Sequence, residues 1–264
     1  MIPTIIEGGV CTGPVAPHED GVKVDGTGQG VTEIRRRIFD FRDYPRGDQD
    51  EVLSGVNGAV VRLYGCVILG GIKAILAGNG DHPGEDMARA RWELDSCVIM
   101  GAGRRCPEAQ DGATVTMRRC WIHDWGQAFD VRAFGAWAHR GGRVIAEDCL
   151  FTQSGGLLEL GLRNTLADIG NHVGQAVNDH GLRAVLWPSS WRPGVCRGLT
   201  SDTGGLILST RCYRNRPWII VEGCNQWMSR EQALDTVLHL EDVCPDVQDR
   251  LGGVSLAEMF SAVA

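Results

Sequence analysis

Apolar and polar residues alternate with a period of two in four short segments of the chain, and each segment continues into the same turn. Alternation with this period is typical of β-strands that bury one face. A pair of residues that are mostly small or polar then precedes a cysteine and a further apolar residue. The four segments read Val61-x-Leu63-x-x-Cys66-x-Ile68, Trp92-x-Leu94-x-x-Cys97-x-Ile99, Val115-x-Met117-x-x-Cys120-x-Ile122 and Val144-x-Ala146-x-x-Cys149-x-Phe151. Each of them predicts a strand, a bend and a second strand.

The repetition predicts a solenoid of stacked coils. Self-similarity at intervals of a few tens of residues, with the pattern of a strand in every copy, is typical of such proteins. The irregular spacing of the copies favours a parallel β-helix, because its coils keep their strands in register while their loops vary in length. A looser fifth copy reads Ile219-x-Val221-x-x-Cys224. The predicted fold class is therefore all-β.

The predicted organisation has three parts. Residues 1–46 are expected to form an irregular N-terminal arm or cap, and residues 47–228 the β-helix, of which 163–203 follow no clear pattern. Residues 229–264 change to helical spacing after the capping box that begins at Ser229, and a second short helix is expected at the end. We expect both terminal parts to cover the exposed strand edges of the solenoid, which would otherwise template aggregation.

Charge and hydropathy exclude several classes of partner. The 264 residues carry a net charge of −7, with a pI of about 5.5, and binding to nucleic-acid phosphates requires a basic field. No apolar stretch approaches the ~18 residues of a membrane-spanning helix. The start at Met1 lacks the charged and apolar regions of a signal peptide. We therefore expect neither nucleic acid nor membrane as a partner, and synthesis in a reducing cytoplasm.

The ten cysteines are predicted to be thiols rather than disulfides. Four of them occupy the same position in the repeated segments, so stacking at ~4.8 Å would align them in a buried column. Their parallel Cβ vectors give poor geometry for a disulfide. No Cys-x-x-Cys pair or zinc-like spacing occurs. The cysteine side chains are expected to act as small hydrophobic groups that fill a narrow interior.

Segments within and between the repeats resemble the motifs of one enzyme family. The run Ile68–Asp81 resembles F-x-x-H-x-K-x-x-L-x-G-x-x-D, and the run Gly103–Val115 resembles G-x-R-x-P-x-x-R-x-G-x-x-H-V. Asp124–Gly126 and Glu147–Phe151 stand in the order of N-W-G and E-G-N-x-F. Over residues 47–151 the chain is thus similar to the pectate and pectin lyases, which are right-handed parallel β-helices, but shortened at its N-terminus.

The resemblance implies a β-elimination on an acidic polysaccharide. Arg105 would match the arginine that removes the proton next to a uronate carboxylate, and Lys73 the lysine that binds and neutralises that carboxylate. Nearby cations would stabilise the negative charge that develops. Arg104 and Gln110 belong to the same region, and alternation directs the ring of Trp121 outward. These three residues are the predicted substrate contacts.

No cofactor is expected to be required, although a calcium site is an alternative. Gln110 replaces the second arginine of the motif, a change that resembles the pectin lyase branch, which works without calcium. Asp48, Asp50 and Glu51 precede Lys73 where the family places calcium ligands. Because calcium prefers six to eight oxygen ligands, three acids match this requirement only loosely. A solvated acidic turn is the competing interpretation.

Two functions remain open from the sequence. The first is a lyase-like protein that binds and cleaves an acidic polysaccharide through Arg105 and Lys73. The second is a catalytically silent β-helix that serves as a structural or adhesive module, such as a spike, tail or decoration protein of a phage virion. In the second case the partners are further copies of the chain or other virion proteins. The side chains of Lys73 and Arg105 are then simply solvated on the outer surface.

Overall fold

The computed structural model describes residues 3–13, 21–27, 30–43, 51–78, 89–103, 106–123, 137–138, 143–147, 149–152, 183–185, 197–201, 204–208, 213–214 and 230–263. Within these residues most strands run parallel and belong to three sheets. The predicted parallel β-solenoid is therefore confirmed, together with short helices at the C-terminal end.

Each sheet is a stack of strands taken from successive coils. The nine-stranded sheet has the order β1 (Thr4–Glu7), β4 (Val31–Arg35), β7 (Val60–Tyr64), β10 (Arg91–Asp95), β13 (Thr114–Arg118), β16 (Arg143–Glu147), β20 (Gly204–Leu208), β19 (Arg197–Ser201), β18 (Arg183–Val185). The seven-stranded sheet has the order β2 (Val10–Thr12), β5 (Ile38–Phe41), β8 (Val67–Gly70), β11 (Val98–Met100), β14 (Trp121–His123), β17 (Leu150–Thr152), β21 (Tyr213–Arg214). The five-stranded sheet has the order β15 (Trp137–Ala138), β12 (Glu108–Ala109), β9 (Lys73–Ala77), β6 (Glu51–Val56), β3 (Val22–Asp25).

The repeated segments stack in register, as their sequences predict. The Cα of Trp92 lies opposite those of Val61 and Val115 in the neighbouring coils, and Ile99 lies opposite Ile68 and Ile122. The solenoid continues with β20, whose Leu206 pairs with Val144. Strands β18 and β19 then run antiparallel. The fifth segment, which starts at Ile219, lies outside the described residues.

The coils begin earlier in the chain than the sequence predicts. Strands β1 to β5 lie in the region expected to be an irregular arm, and they pair in parallel with the later strands. Thr32 is opposite Val61, and Phe39 is opposite Ile68. In this coil the position of the cysteine belongs to Arg37, so the repeated pattern loses its most conspicuous residue.

The three sheets enclose a dry interior, here called the bore, which is lined by the inward residues of the repeats. Val61, Leu63 and Cys66 have an exposed fraction of 1% or less. Trp92 fills a large part of the bore, and Gly55 of β6 leaves room for it, since a Cβ at Gly55 would lie 2.5 Å from Trp92 Nε1. Among the described residues this indole nitrogen has no hydrogen-bond partner. Shape rather than polar contact therefore places the ring.

The predicted column of cysteines is present in the bore. Cys66 Sγ donates to Ile34 O at 3.4 Å, and Cys97 Sγ donates to Leu63 O of the preceding coil at 3.6 Å. Cys120 repeats the contact one coil further, and Cys149 is fully buried as well. Burial raises the pKa of the Cys97 thiol. The seven cysteines in the described part of the chain are all free thiols.

Where the structure describes it, the turn before the cysteine position, which Arg37 occupies in one coil, has the same conformation. The residue preceding it has a positive φ in successive coils: 51° at Arg36, 61° at Gly65, 54° at Ser96 and 50° at Arg119. A left-handed conformation costs a non-glycine residue roughly 1–2 kcal/mol, so the stack imposes this turn on the side chains that it carries. The common geometry keeps the two strands of every coil aligned.

Within the residues that the structure describes, three helices follow the solenoid: α1 (Arg230–Val243), α2 (Val247–Arg250) and α3 (Leu256–Val263). They pack on the outer face of the seven-stranded sheet, whereas the sequence predicts that they cover strand edges. The apolar residues buried in this contact are Ile38, Val67, Leu69, Val98, Met100, Trp121, Leu150, Val237, Leu240, Cys244, Val247, Leu256 and Phe260.

Polar contacts fix α1 over the turns of the solenoid. Cys244 Sγ donates to Gly65 O at 2.5 Å, and Ser96 Oγ lies 3.0 Å from His239 Nε2. Val243 fits against Gly65, where a Cβ would overlap Val243 Cγ1. No helix in the described part of the chain is long and apolar enough to cross a membrane.

Candidate functional site

Lys73, the predicted carboxylate-binding residue, is buried in an ion pair. It is the first residue of β9, and Glu51 is the first residue of β6, its parallel neighbour in the five-stranded sheet. Lys73 Nζ lies 2.5 Å from Glu51 Oε1, and the two side chains are only 7% and 9% exposed. The register of the strands brings these two side chains together.

Glu51, a predicted calcium ligand, therefore already has a cationic partner. A carboxylate that neutralises a buried ammonium group is a poor ligand for a second cation, because its charge is already compensated. The other two predicted ligands, Asp48 and Asp50, lie outside the described residues. Over the part of the chain that the structure describes, no group of three or more His, Cys, Asp or Glu side chains is arranged to hold a metal ion.

Arg104 and Arg105 also lie outside the described residues, but the residues on either side of them are placed. The backbone N–H of Gly103 donates to Gly71 O at 2.8 Å, and Glu108 pairs with Leu76 of β9. The segment that carries the two arginines therefore starts and ends against the coil that contains Lys73.

The two remaining predicted substrate contacts are buried. Gln110 follows β12 and is 6% exposed, while Trp121 is completely buried. Trp121 does face away from the bore, as alternation predicts, but the C-terminal helices cover it. Its ring packs edge-on against Phe260 of α3, with 6.2 Å between the ring centroids, and lies 5.3 Å from the ring of His123. Both residues contribute to packing in this structure.

The surroundings of Lys73 differ chemically from those of a lysine that is open to a substrate. A lysine that stabilises a developing enolate must offer its positive charge to the substrate. Here Glu51 supplies the compensating negative charge, so a uronate carboxylate would have to displace an internal carboxylate. Breaking a buried pair leaves one uncompensated charge and costs about 3–5 kcal/mol. The pair is thus suited to holding β6 and β9 together.

An open, polar surface lies elsewhere, on the outer face of the nine-stranded sheet. A groove of about 410 Å³ crosses β4, β7, β10 and β13 there. We call it the sheet groove; its charged and aromatic lining residues are Glu7, Glu33, Arg35, Arg36, Arg62, Tyr64, Glu93, Asp95 and Arg118. The sequence already contains its signal, since most of these residues are the outward positions of the repeated segments. The resemblance to the lyases instead implicates Lys73, which lies in the five-stranded sheet.

Ion pairs span the sheet groove from coil to coil. Arg62 Nε donates to Glu93 Oε2 at 2.9 Å, and their side chains are 49% and 53% exposed. Arg35 pairs with Glu33 of the same strand. Arg119, at the turn beyond, donates to both carboxylate oxygens of Asp95. The surface is therefore densely charged and locally neutral.

Comparison of the chain with protein families, with curated proteins and with solved structures finds no match.

Proposed function

We propose that this protein is a catalytically silent parallel β-helix that serves as a rigid binding or structural module. The observation that carries the proposal is the buried ion pair in which Glu51 neutralises the charge of Lys73. Gln110 and Trp121, the further predicted substrate contacts that the structure describes, are buried as well. Side chains that stabilise the coils in this way are not free to meet a substrate.

The rest of the fold supports a mechanical role. Parallel strands in register join successive coils, and the bore is filled by apolar side chains and thiols. Solenoids of this kind are rigid and present long, flat outer faces. In this proposal the partners are further copies of the chain or other components of an assembly such as a virion, and the free thiols suit assembly in a reducing cytoplasm.

The test is an assay for β-elimination on polygalacturonate, pectin and alginate, with and without added calcium. Unsaturated uronates absorb in the ultraviolet, so turnover is followed directly. We expect no absorbance increase above that of a Lys73→Met, Arg105→Ala double variant. Turnover that exceeds this control would overturn the proposal. Mass photometry of the same sample addresses assembly, because a module of this kind is expected to form oligomers or to bind a partner.

A lyase that acts on an acidic polysaccharide is the second candidate, favoured by one specific observation. Gly103 and Glu108, which flank Arg104 and Arg105 in the sequence, both pair with the coil that contains Lys73. In this reading the substrate carboxylate displaces Glu51 from Lys73. Catalysis would proceed without a required cofactor, and calcium at Glu51 with Asp48 and Asp50 is the alternative.

The two candidates differ in what the Glu51→Gln variant does. In a lyase, removing the competing carboxylate frees Lys73 and increases affinity for oligogalacturonate, whereas removing Arg105 abolishes turnover. In a silent module, Glu51→Gln lowers stability and produces neither affinity nor turnover. Calorimetric titration with hexagalacturonate, together with urea unfolding of the same variant, separates these results.

A further inference from the structure

We propose that the sheet groove binds a neutral, linear glycan. This inference rests on the proposed function in one respect, namely that the module is a binder rather than a lyase. It concerns the nine-stranded sheet, which contains none of the predicted catalytic, substrate-binding or calcium-binding residues that the structure describes. Three properties of the groove carry it: its charge balance, the order of its polar groups, and an exposed aromatic ring.

The lining of the sheet groove has no net charge, and Arg119, which pairs with Asp95 from the adjoining turn, adds a single positive charge, whereas the chain as a whole carries −7. Its four acidic residues are matched by four arginines; the acids are Glu7, Glu33, Glu93 and Asp95, and the arginines are Arg35, Arg36, Arg62 and Arg118. A polyanion such as polygalacturonate or nucleic acid gains little from a surface with so little excess positive charge. An apolar ligand would leave these charged groups desolvated. The chemistry selects a ligand that is polar and uncharged.

Donors and acceptors alternate along the solenoid axis within the groove. Arg62 lies in register between Glu33 of the preceding coil and Glu93 of the next. Carboxylates only accept hydrogen bonds and guanidinium groups only donate them, whereas each sugar hydroxyl does both. Neighbouring coils are ~4.8 Å apart. The column therefore presents one acceptor or donor at each coil to an extended ligand that carries hydroxyl groups. A linear glycan that runs along the axis fits this order.

Tyr64 supplies an aromatic surface in the adjacent column. Its neighbours in register are Arg35 and Asp95, and the residue is 36% exposed at the surface of the groove. An aromatic ring with a polar edge contacts the apolar C–H face of a sugar ring while its hydroxyl remains hydrated. The ring therefore lies among the charged side chains that would bind the hydroxyl groups of the same ligand.

The test is isothermal titration calorimetry of the full chain with cellohexaose, mannohexaose and maltohexaose, and with hexagalacturonate for comparison. We expect at least one neutral hexasaccharide to bind, with an affinity that changes little between low and high salt. Tyr64→Ala and the charge-neutral double variant Arg62→Ala, Glu93→Ala should each weaken binding about tenfold or more. Val254→Ala, an exposed apolar site between α2 and α3, is the matched control and should leave the affinity unchanged.

Three results would overturn the inference: no binding of any neutral hexasaccharide by folded protein, tighter binding of hexagalacturonate than of the neutral ligands, or affinity unchanged in both groove variants. Concentration-dependent dimerisation that both groove variants abolish would instead assign the face to a second copy of the chain. Circular dichroism of each variant establishes that it is folded. Lyase turnover would contradict the proposed function and leave the groove untouched, so the two failures are distinguishable.

Discussion

Lys73 Nζ and Glu51 Oε1 lie 2.5 Å apart at the first residues of two neighbouring strands, where both side chains are almost entirely buried. Two charges withdrawn from water are tolerated there because each compensates the other. Because each buried charge requires the other, the pair is a specific contact between successive coils. Its energetics are directly testable.

Replacing one member of this pair should destabilise the protein more than replacing both. We expect Lys73→Met alone to lower the free energy of unfolding by about 3–5 kcal/mol, because the buried Glu51 carboxylate loses the ammonium group that compensates its charge. The double variant Glu51→Leu, Lys73→Met should regain most of that loss. Urea unfolding followed by tryptophan fluorescence measures both. A single variant as stable as the wild type would show that Glu51 is hydrated.

Gly55 determines whether Trp92 fits in the bore. A Cβ at this position would lie 2.5 Å from Trp92 Nε1 and 2.8 Å from Cζ2, and the indole is buried in the bore. Gly55→Ala should therefore lower stability by about 1–3 kcal/mol, the usual cost of overpacking a core. Thermal unfolding monitored by circular dichroism gives the shift.

The double variant Gly55→Ala, Trp92→Phe provides the control, because it removes the atoms that clash with the new methyl group. The Gly55→Ala change should cost less stability when it is introduced into Trp92→Phe than when it is introduced into the wild type. Equal losses in the two backgrounds would mean that the indole does not oppose the methyl group.

The buried thiols should be inert in the folded protein. Cys66, Cys97 and Cys120 are completely inaccessible in the bore, and burial raises the pKa of Cys244 to about 12. Iodoacetamide cannot reach the three sulfur atoms in the bore, and Cys244 forms little of the reactive thiolate at pH 8, so the reagent should modify these residues only after unfolding. Cys11, which is half-buried in the first coil, should react in the native state.

Peptide mapping by mass spectrometry assigns each modification to its cysteine, and Cys11→Ser supplies the control. The variant should lose native-state labelling in the peptide that contains position 11 and keep the labelling pattern elsewhere. Rapid native labelling of Cys97 would contradict a closed bore.

The start of α3 is held by a reciprocal pair of hydrogen bonds. The backbone N–H of Ser255 donates to Glu258 Oε2 at 2.8 Å, and the N–H of Glu258 donates to Ser255 Oγ at 3.1 Å. The first of these bonds lowers the pKa of Glu258. Ser255→Ala should reduce stability by about 1 kcal/mol at pH 7, as loss of an N-cap generally does.

The contribution of Glu258 should depend on pH with a definite sign. Because its pKa is lowered on folding, the ionised carboxylate stabilises the protein above its unfolded pKa of about 4.3. That stabilisation is lost as the pH falls through the folded-state pKa. The stability difference between wild type and Glu258→Gln should hence be larger at pH 7 than at pH 3. A difference that grows on acidification would contradict the capping interaction.

Local patterns in the sequence were sufficient to predict the coils. Alternation and the following cysteine predict that Val61, Trp92, Val115 and Val144 stack, and the structure has the same register. The pattern does not extend before residue 47, where Arg37 stands in the cysteine position although the strands continue. The capping box at Ser255 has the same spacing as that at Ser229 and is equally visible in the sequence, but the prediction does not include it.

The sequence by itself therefore determined the strands of the four repeated segments, their stacking, and which side chains point inward or outward, because these depend on a period of two repeated in those segments. Only the tertiary structure decided what lies beyond each side chain. Trp121 points outward by alternation, but Phe260, far along the chain, covers it. Lys73 meets Glu51 because β6 and β9 pair with their first residues in register. Such contacts arise from packing between distant segments, which no local period encodes.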